Sequence, residues 1–386
     1  MSGEHGKIKV LMVGGLPPDL QSVRGGVEAV ILNLFAGFSS LPDVTVVNVA
    51  FEKGIQQQRV VKFSEKARVY FLPFRSRFPL VDYFVNQQPL RKIIKDENPD
   101  VIHIQESEPH LLRFLNYPKH NIIVTQHGIM SEELKYAKGV KEKLKFLFKT
   151  WVERFVFPRF KNVIFISNYN KHLFTGQLTN FRIIYNPVNP IFFQERPARE
   201  HATNSIIYVG VINRRKNIGI ILDTLYKLKQ AGIIFRLHVV GGYKEQTFEK
   251  EVMRWVRQLD LAGQIVFHGW LKQEEILSVY DQCEYFVLPS RQETLPMSVA
   301  EAMALGKIVI ATDVGAISEM FHDKSTGFLF NRDEVDHLAR LLRELSNHSM
   351  PEMKNQIRQE ALEKFNPVEV ARQTAEFYRT VICHKL

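Results

Sequence analysis

The amino-acid sequence has few cysteines, no signal-peptide pattern and no long apolar run. It has two cysteines, Cys283 and Cys383, in 386 residues, which excludes a disulfide scaffold and favours a reducing compartment. The N-terminal stretch MSGEHGKIKVLMVGG lacks the apolar segment and small-residue cleavage site of a signal peptide. No apolar run approaches the roughly 18–20 residues of a membrane span. The sequence therefore predicts a cytoplasmic protein that is not integral to a membrane.

Composition and charge narrow the class further. Hydrophobic residues make up 45% and charged residues 24% of the chain, as in ordinary globular proteins, so disorder, collagen and coiled coil are excluded. At roughly 150 residues per domain, the length suggests two domains or three small ones. The net charge is +10, and all of the excess lies before residue 188. That half is either simply a basic domain or one that faces nucleic acid, a phosphorylated substrate or an acidic membrane.

Short apolar runs alternate with helical patterns twice along the chain, which predicts two α/β units with parallel, doubly wound sheets. The proline-rich stretch at 186–204 is the predicted linker between them. Ligands of such folds bind outside the carboxyl ends of the strands, so the loops there are the places to look for chemistry. The predicted strands lie at 7–14, 44–49, 69–72, 101–104, 122–125 and 163–166, and then at 205–209, 235–240, 265–267, 285–288 and 308–311.

The segment SRQETLPMSVAEAMALG at 290–306 carries two glutamates separated by seven residues. Glu293 lies in a loop after an apolar strand, and Glu301 lies in a helix that begins near Met297. The helix N-terminus offers backbone N–H groups to a phosphate, and the two carboxylates can accept hydrogen bonds from sugar hydroxyls. The spacing alone is more typical of a helix with exposed glutamates.

Three weaker signals lie at other predicted strand ends. Arg214, Arg215 and Lys216 form a strand-to-helix turn that suits a diphosphate leaving group, or is only a solvated basic turn. The pair Gly25–Gly26 allows close approach of the backbone to a ligand. His127 follows the strand IIVTQ, although a lone histidine is more often structural.

Together these motifs resemble the family-4 retaining glycosyltransferases, known as glycosyl transferases group 1. The resemblance runs from about residue 7 to 365. It includes RGGVEAVILNL, VTQHG, YVGVINRRKNI, FHGWLKQEEI and, most specifically, FVLPSRQETLPMSVAEAMALGKIVIATDVGAISEM, which is similar to the family's glutamate-x7-glutamate signature. It implies the GT-B fold, in which two Rossmann-like domains face a central cleft. Residues 1–187 with 367–386 are then the acceptor-binding domain, and residues 188–366 bind the nucleotide-sugar donor.

The resemblance also implies roles for individual residues. The catalytic set is His127 beside the reacting sugar, Glu293 on the hydroxyls of the transferred sugar, and Lys216 on the diphosphate. The other residues implied in donor binding are Gly25, Gly26, Arg214 or Arg215, the base-binding loop Gly269, Trp270 and Leu271, the phosphate-binding turn Thr294, Leu295, Pro296 and Met297, and Glu301 on the ribose.

Two departures from the family pattern affect these expectations. Val211 stands where the family usually has arginine, so either Arg214 or Arg215 supplies that charge. Pro296 has no N–H to donate, so one phosphate contact differs.

The implied activity is retaining transfer of a hexosyl unit from a nucleotide-sugar, UDP being the commonest donor base in the family. The acceptor is a glycan, a lipid-linked molecule or another glycoconjugate, as in polysaccharide synthesis. No metal or other cofactor is expected, because the sequence has no Asp-x-Asp motif. The alternative is a non-catalytic sugar-nucleotide-binding subunit. No motif suggests nucleic-acid binding, and the first strand is not followed by the G-x-G-x-x-G of dinucleotide dehydrogenases.

The segment 131–159 is a predicted basic amphipathic helix. Lys141, Lys145 and Lys149 recur on one stripe, and Leu144, Leu147 and Trp151 belong to another. Such a helix either lies on an anionic membrane as a peripheral contact at its inner face, or packs into the core with its lysines in water.

Overall fold

A computed structural model describes the fold of the chain in two compact units. The first comprises Met1–Val188 and Asn366–Leu386, and the second comprises Asn189–Phe365. The described residues are 6–20, 23, 25–74, 87–105, 108–115, 117, 120–137, 139–174, 180–196, 204–346 and 350–383. Part of the predicted linker, 197–203, lies outside them. Among the described residues, no helix has the length and apolarity needed to cross a membrane.

The first unit is built on one sheet with the strand order β3-β4-β2-β1-β5-β6-β7-β8. All pairs are parallel except β3 with β4. Its strands are β1 (Ile8–Val13), β2 (Val44–Glu52), β3 (Arg59–Lys62), β4 (Ala67–Pro73), β5 (Val101–Ile104), β6 (Ile122–Gln126), β7 (Asn162–Phe165) and β8 (Asn180–Ile183).

Helices cover both faces of this sheet, and alternate residues of β1 therefore enter two different cores. Val10 and Met12 pack with the helices on one face, whereas Leu11 and Val13 pack on the other. The described helices of this unit are α1 (Gly26–Ser39), α2 (Gln87–Glu97), α3 (Met130–Leu134), α4 (Gly139–Phe155), α5 (Asn168–Leu173) and the C-terminal helix, Pro367–Cys383. The last packs against α1, where a side chain at Gly37 would overlap the Pro367 carbonyl.

The second unit has a parallel sheet with the order β11-β10-β9-β12-β13-β14. Its strands are β9 (Ser205–Val209), β10 (Arg236–Val240), β11 (Ile265–Gly269), β12 (Tyr285–Leu288), β13 (Ile308–Thr312) and β14 (Phe328–Phe330). Its described helices are α6 (Gly219–Gln230), α7 (Gln246–Gln258), α8 (Gln273–Tyr280), α9 (Met297–Ala304), α10 (Ile317–Met320), α11 (Val335–Leu345) and α12 (Pro351–Phe365). The C-terminal helix of the first unit is thus α13.

The predicted α/β class, with two doubly wound parallel sheets, is confirmed. Three strands were missed: β3, β8 and β14. Each lies at an edge of its sheet. β3 and β8 lack the continuous apolar run of a strand buried on both faces, and β14 has only three residues. The prediction of a purely parallel first sheet needs one correction. Strand β3 pairs with β4 in the antiparallel direction, so this sheet is mixed.

Candidate active-site residues

The basic turn of the second unit follows β9 directly. Asn213 accepts a hydrogen bond from the backbone N–H of Lys216 through its side-chain oxygen, at 2.9 Å. This side-chain-to-backbone bond closes the turn locally. Asn217 then adopts a positive φ of 54° before α6 begins. The turn therefore holds Lys216 at the carboxyl end of the sheet.

Lys216 meets Glu293 at that edge. Its Nζ lies 2.5 Å from Oε1 of Glu293, and the glutamate side chain is only 6% exposed. The two residues are 77 positions apart in sequence, but β9 and β12 are neighbouring parallel strands. The loops that follow these strands therefore lie at the same edge of the sheet.

The two arginines of the turn point in different directions. Arg215 donates through Nη1 to the backbone oxygen of Gln292 at 2.9 Å, and the same nitrogen lies 3.7 Å from Oε2 of Glu293. Arg214 instead donates to both carboxylate oxygens of Glu251 at 2.7 Å. The structure thus places Arg215, and not Arg214, beside Glu293.

Glu301 lies in α9 and is partly buried. Burial raises the pKa of its carboxyl to about 8. Burial, and then the charge of Glu301, raises the pKa of Tyr280, so the two groups are close neighbours. Among the described residues, no side chain donates a hydrogen bond to this carboxyl, so the hydroxyls of a ligand would be its partners.

The turn that precedes α9 joins these two glutamates. Pro296 is the N-cap of the helix and provides no side-chain hydrogen bond. Leu295 and Pro296 are buried, whereas Thr294 and Met297 are partly exposed. No side chain caps the first turn. The N–H of Val299 donates to the backbone oxygen of Pro296 at 3.1 Å and Pro296 has no N–H, so an anion would be bound by the N–H groups of Met297 and Ser298.

Gly315 and Gln292 hold the Glu293 loop and were not among the predicted site residues. Gly315 has a φ of +62°, and a Cβ there would overlap the backbone oxygen of Glu293. Gln292 accepts from Arg215 Nη1 through both its backbone and side-chain oxygens. The position of Gly315, just after β13, is the one sequence signal for its role. Nothing in the sequence pairs Gln292 with Arg215.

The predicted base-binding loop follows β11. Gly269 has a φ of +68° and accepts a hydrogen bond from the backbone N–H of Gly241 at 2.7 Å. Trp270 is 66% exposed, yet its indole lies so close to Gly242 that a Cβ there would overlap it. Leu271 is partly buried. The loop thus presents an indole whose position is restrained by the glycine beneath it.

His127 lies in the first unit, directly after β6. Its Nε2 is 2.6 Å from Oε1 of Gln105, at the end of β5. Burial lowers the pKa of His127 to about 4, against a smaller opposite effect of Asn186. The imidazole is therefore neutral at pH 7. Since the Gln105 oxygen can only accept, Nε2 carries the proton in this hydrogen-bond assignment, and Nδ1 is left as the acceptor.

Gly25 and Gly26 begin α1. Gly25 is its N-cap with extended backbone angles. A Cβ at either residue would meet no described atom within 4 Å. The described part of the fold therefore does not itself require glycine at these positions.

Side chains that could ligate a metal do not cluster in the part of the chain that the structure describes. There, no three His, Cys, Asp or Glu side chains form a cluster that could hold a metal ion. The charged groups around Glu293 are those of Lys216 and Arg215.

Two family models match successive parts of the chain. The model described as "Glycosyltransferase Family 4" matches residues 24–191, and the model described as "Glycosyl transferases group 1" matches residues 192–364. An uncharacterized glycosyltransferase of Methanocaldococcus jannaschii, MJ1178, is 28% identical over 288 residues, which cover 72% of this chain and 75% of that protein. The putative colanic acid biosynthesis glycosyltransferase WcaL of Salmonella typhimurium is 24% identical over 46% of this chain and 45% of its own.

Solved structures of glycosyltransferases share the fold. Sucrose-phosphate synthase of Thermosynechococcus elongatus matches with a TM-score of 0.78 and 18% identity, covering 98% of this chain and 100% of that one. Anabaena HepE in complex with UDP and glucose matches with a TM-score of 0.71 and 17% identity, over 97% and 100% of the two chains. At these identities the likeness shows the fold alone, which is GT-B.

Proposed function

The chain belongs to glycosyltransferase family 4, and from that premise we propose that it transfers a hexosyl unit from a nucleotide-sugar to a glycan, lipid-linked or other glycoconjugate acceptor. The observation that carries the proposal is the group formed by Lys216, Arg215 and Glu293 at the end of the second sheet. It combines two cations for a diphosphate with a carboxylate for sugar hydroxyls. The uncapped N-terminus of α9 adds further N–H donors next to them.

In the proposed donor complex, the diphosphate replaces Glu293 as the partner of Lys216. Glu293 then accepts hydrogen bonds from hydroxyls of the transferred sugar, and Glu301 accepts from the ribose. Trp270 and its neighbours hold the base. A UDP-sugar is the proposed donor, supported by the structural neighbour Anabaena HepE, which was solved in complex with UDP and glucose and with UDP-glucose.

The proposed chemistry is substitution with retention at the anomeric carbon. The bond from that carbon to the diphosphate breaks as the acceptor oxygen attacks from the same face. The leaving phosphate takes the proton of the acceptor hydroxyl. Lys216, Arg215 and the N-terminus of α9 stabilise the negative charge that develops on the leaving group, and in the proposal they do so without a metal ion. The neutral His127 is proposed to lie beside the reacting sugar.

The first unit is proposed to bind the acceptor and the second unit the donor. Relatives named for colanic acid and amylovoran biosynthesis support an acceptor from polysaccharide or glycoconjugate synthesis. The basic first unit is also proposed to make peripheral contact with an anionic membrane through α4, which carries exposed apolar and basic side chains.

A donor panel tests the proposal. The protein is incubated with UDP-, GDP- and ADP-sugars in the presence of EDTA, and release of nucleoside diphosphate is followed. We expect slow release from one donor, abolished by Glu293→Gln and unchanged by Glu274→Gln, which alters an exposed glutamate on α8. Release that stops with EDTA would overturn metal independence. Absence of any sugar-nucleotide binding at millimolar concentration would overturn the transferase assignment, and binding without turnover in the presence of acceptors would indicate a non-catalytic subunit.

A further inference from the structure

Helix α4 exposes its apolar face. Val140, Leu144, Leu147, Trp151 and Phe155 are between 49% and 75% exposed. At 3.6 residues per turn they fall within an arc of about 80°. Among the described side chains of this helix, only Val152 is buried. The alternative that this stripe packs into the core is therefore wrong for α4, since the stripe faces solvent.

Positive charge borders the apolar stripe on both sides. On the helical wheel, Lys143 and Arg154 lie at one edge and Lys141 lies at the other. The helix contains five basic residues and two acidic ones, Glu142 and Glu153, and both acidic residues lie on the opposite side. An apolar face bordered by cations is the pattern of a helix that lies in the plane of an anionic bilayer.

Aromatic rings stiffen the stripe. Phe148 and Trp151 stack with centroids 6.2 Å apart, and Trp151 contacts Phe155 at 6.0 Å. Tryptophan and phenylalanine carry large apolar area, and the indole N–H can stay hydrated at a lipid boundary. The exposed patch is therefore partly pre-organised.

The opposite side of α4 is tied to the strand end that carries His127. Glu153 accepts hydrogen bonds from Gln126 Nε2 at 3.0 Å and from the backbone N–H of Met130 at 3.2 Å. Gln126 is the residue before His127. One helix thus has an apolar face toward solvent and a polar contact to the candidate site of the first unit.

A cavity of about 260 Å³ lies behind α4. Its lining is mostly apolar, although Oε1 of Gln126 is buried there without a hydrogen-bond partner in the described chain. Burying the many hydroxyls of a sugar against such a lining would be costly, whereas a hydrocarbon segment would fit it. Five polar side chains also line the cavity, among them His127 and, from α4 itself, Lys149, beside the apolar Val27, Leu111, Val124 and Phe157.

We propose that α4 lies in the surface of an anionic lipid bilayer and that the cavity behind it receives the apolar part of an acceptor drawn from that bilayer. The acceptor part of the inference rests on the proposed function and narrows its acceptor to an amphiphile. The occupant of the stripe is a bilayer rather than a second copy of the chain. In a two-fold contact through α4, Lys141, Lys143 and Arg154 of one copy would lie close to the same cations of the other. The repulsion between these like charges disfavours a dimer.

Vesicle binding tests the docking surface. Flotation with vesicles of phosphatidylcholine containing 30% phosphatidylglycerol is compared with flotation on pure phosphatidylcholine. We expect at least tenfold stronger binding to the anionic vesicles, and a loss of at least tenfold in Leu144→Gln/Leu147→Gln. The matched control, Val60→Gln/Ile234→Gln, removes two equally exposed apolar residues elsewhere and should change nothing.

Three results would overturn the docking surface. They are equal binding to both kinds of vesicle, no binding, and full binding by the α4 variant. Analytical ultracentrifugation adds a fourth: a wild-type dimer that the α4 variant converts to monomer, without vesicle binding, would assign the stripe to a second copy. Nucleoside diphosphate release into water, measured on the same samples, shows separately whether the proposed transferase function stands.

Two glycosides that differ only in their alkyl chain test the cavity. We expect n-octyl β-D-glucopyranoside, below its micelle concentration, to bind at least tenfold more tightly than methyl β-D-glucopyranoside by calorimetry. Met130→Trp, which fills the cavity, should abolish the difference, and Leu144→Gln/Leu147→Gln should preserve it. Val27→Phe narrows the same cavity from α1 and replaces Met130→Trp if that variant does not fold. Equal binding of the two glycosides, or a difference that survives cavity filling, would refute the amphiphilic acceptor.

Discussion

Lys216 and Glu293 form an ion pair with 2.5 Å between Nζ and Oε1, and their side chains are only 13% and 6% exposed. When no donor is bound, the charge of each group is balanced by the charge of the other. In the proposed reaction each finds a new partner on the nucleotide-sugar, Lys216 on the diphosphate and Glu293 on the sugar. The pair therefore keeps two charges in place at a site where an unpaired buried charge would destabilise the fold.

Removing one member of this pair should therefore cost stability as well as activity. Lys216→Met leaves Glu293 without its partner, and we expect a loss of about 2 kcal/mol in the free energy of unfolding. The double variant Lys216→Met/Glu293→Gln should recover part of that loss while remaining inactive. Urea unfolding measures both. As a control, Lys227→Met breaks an exposed pair with Asp336 and should cost under about 1 kcal/mol. Additive losses would contradict a coupled pair.

The two neighbouring arginines should differ strongly in their effect on donor use. Arg215 lies beside Glu293 and is held by Gln292, whereas Arg214 is paired with Glu251. We expect Arg215→Ala to lower kcat/KM for the donor by about 30- to 150-fold, the loss of one charged contact to the phosphates. Arg214→Ala should change it by less than about threefold, since exposed pairs contribute little. The reverse ranking would show that the donor-bound turn reorganises.

Donor binding should strengthen as the pH rises through about 8. Below that pH the Glu301 carboxyl is mostly protonated, because burial holds its pKa near 8. The ionised carboxylate is the better acceptor for ribose hydroxyls, since charge-assisted hydrogen bonds are stronger. The Kd for UDP-glucose should fall several-fold between pH 7 and 8.5, a range in which the phosphodiester groups of its diphosphate do not titrate. Glu301→Gln should bind more weakly and show no such trend, and a trend that survives in this variant would belong to another group.

The same carboxyl should make the donor-free protein less stable at high pH. The pKa of Glu301 in the fold, about 8, is above the ordinary value of 4.5. Unfolding therefore releases a proton, and the stability of the fold falls as the pH rises from about 4.5 through 8. We expect Glu301→Gln to raise Tm at pH 9 and to have little effect at pH 4.5. A Tm difference that does not depend on pH would contradict the buried carboxyl.

Glu97 should stabilise the first unit until the solution becomes strongly acidic. Burial alone would raise its pKa, but hydrogen bonds from Tyr70, Arg68 and Lys9 outweigh burial and lower it to about 2. The contribution is therefore complete above pH 4.5 and is lost as the pH falls toward 2. Glu97→Gln should cost about 2 kcal/mol in urea unfolding at pH 7, while the exposed Glu65→Gln should cost almost nothing. Equal losses at pH 7 and pH 2.5 would refute the ionic origin.

Gly315 should be needed for activity, and its replacement should also cost stability. Gly315→Ala adds a Cβ that overlaps the backbone oxygen of Glu293, at a φ of +62°. The loop must then move Glu293, so we expect kcat/KM to fall at least about 30-fold, a loss of some 2 kcal/mol in transition-state stabilisation. Gly232→Ala shares the positive φ, but its Cβ would meet open space among the described atoms. It should cost only about 1–2 kcal/mol of stability and leave kcat/KM intact.

Local sequence determined much of the fold. The strands at Val101–Ile104, Ser205–Val209 and Tyr285–Leu288 have the bounds that the sequence predicted, because a strand buried on both faces is a short and mostly apolar run. The alternation of such runs with helical patterns determined the α/β class. The spacing of Glu293 and Glu301 did not by itself predict a donor site; that prediction came from the resemblance of this segment and of the basic turn after β9 to the family's motifs.

Only the tertiary structure decided how individual side chains are directed and how far each is buried. Arg214 and Arg215 are adjacent in one turn, and their partners, Glu251 and Gln292, lie 37 and 77 residues away. The amphipathic pattern of α4 is the same whether its apolar side faces the core or the solvent. The pKa of Glu301 depends on the burial of its carboxyl. These properties depend on packing between residues distant in sequence, since exposure and electrostatic environment are set by the neighbours that the fold brings together.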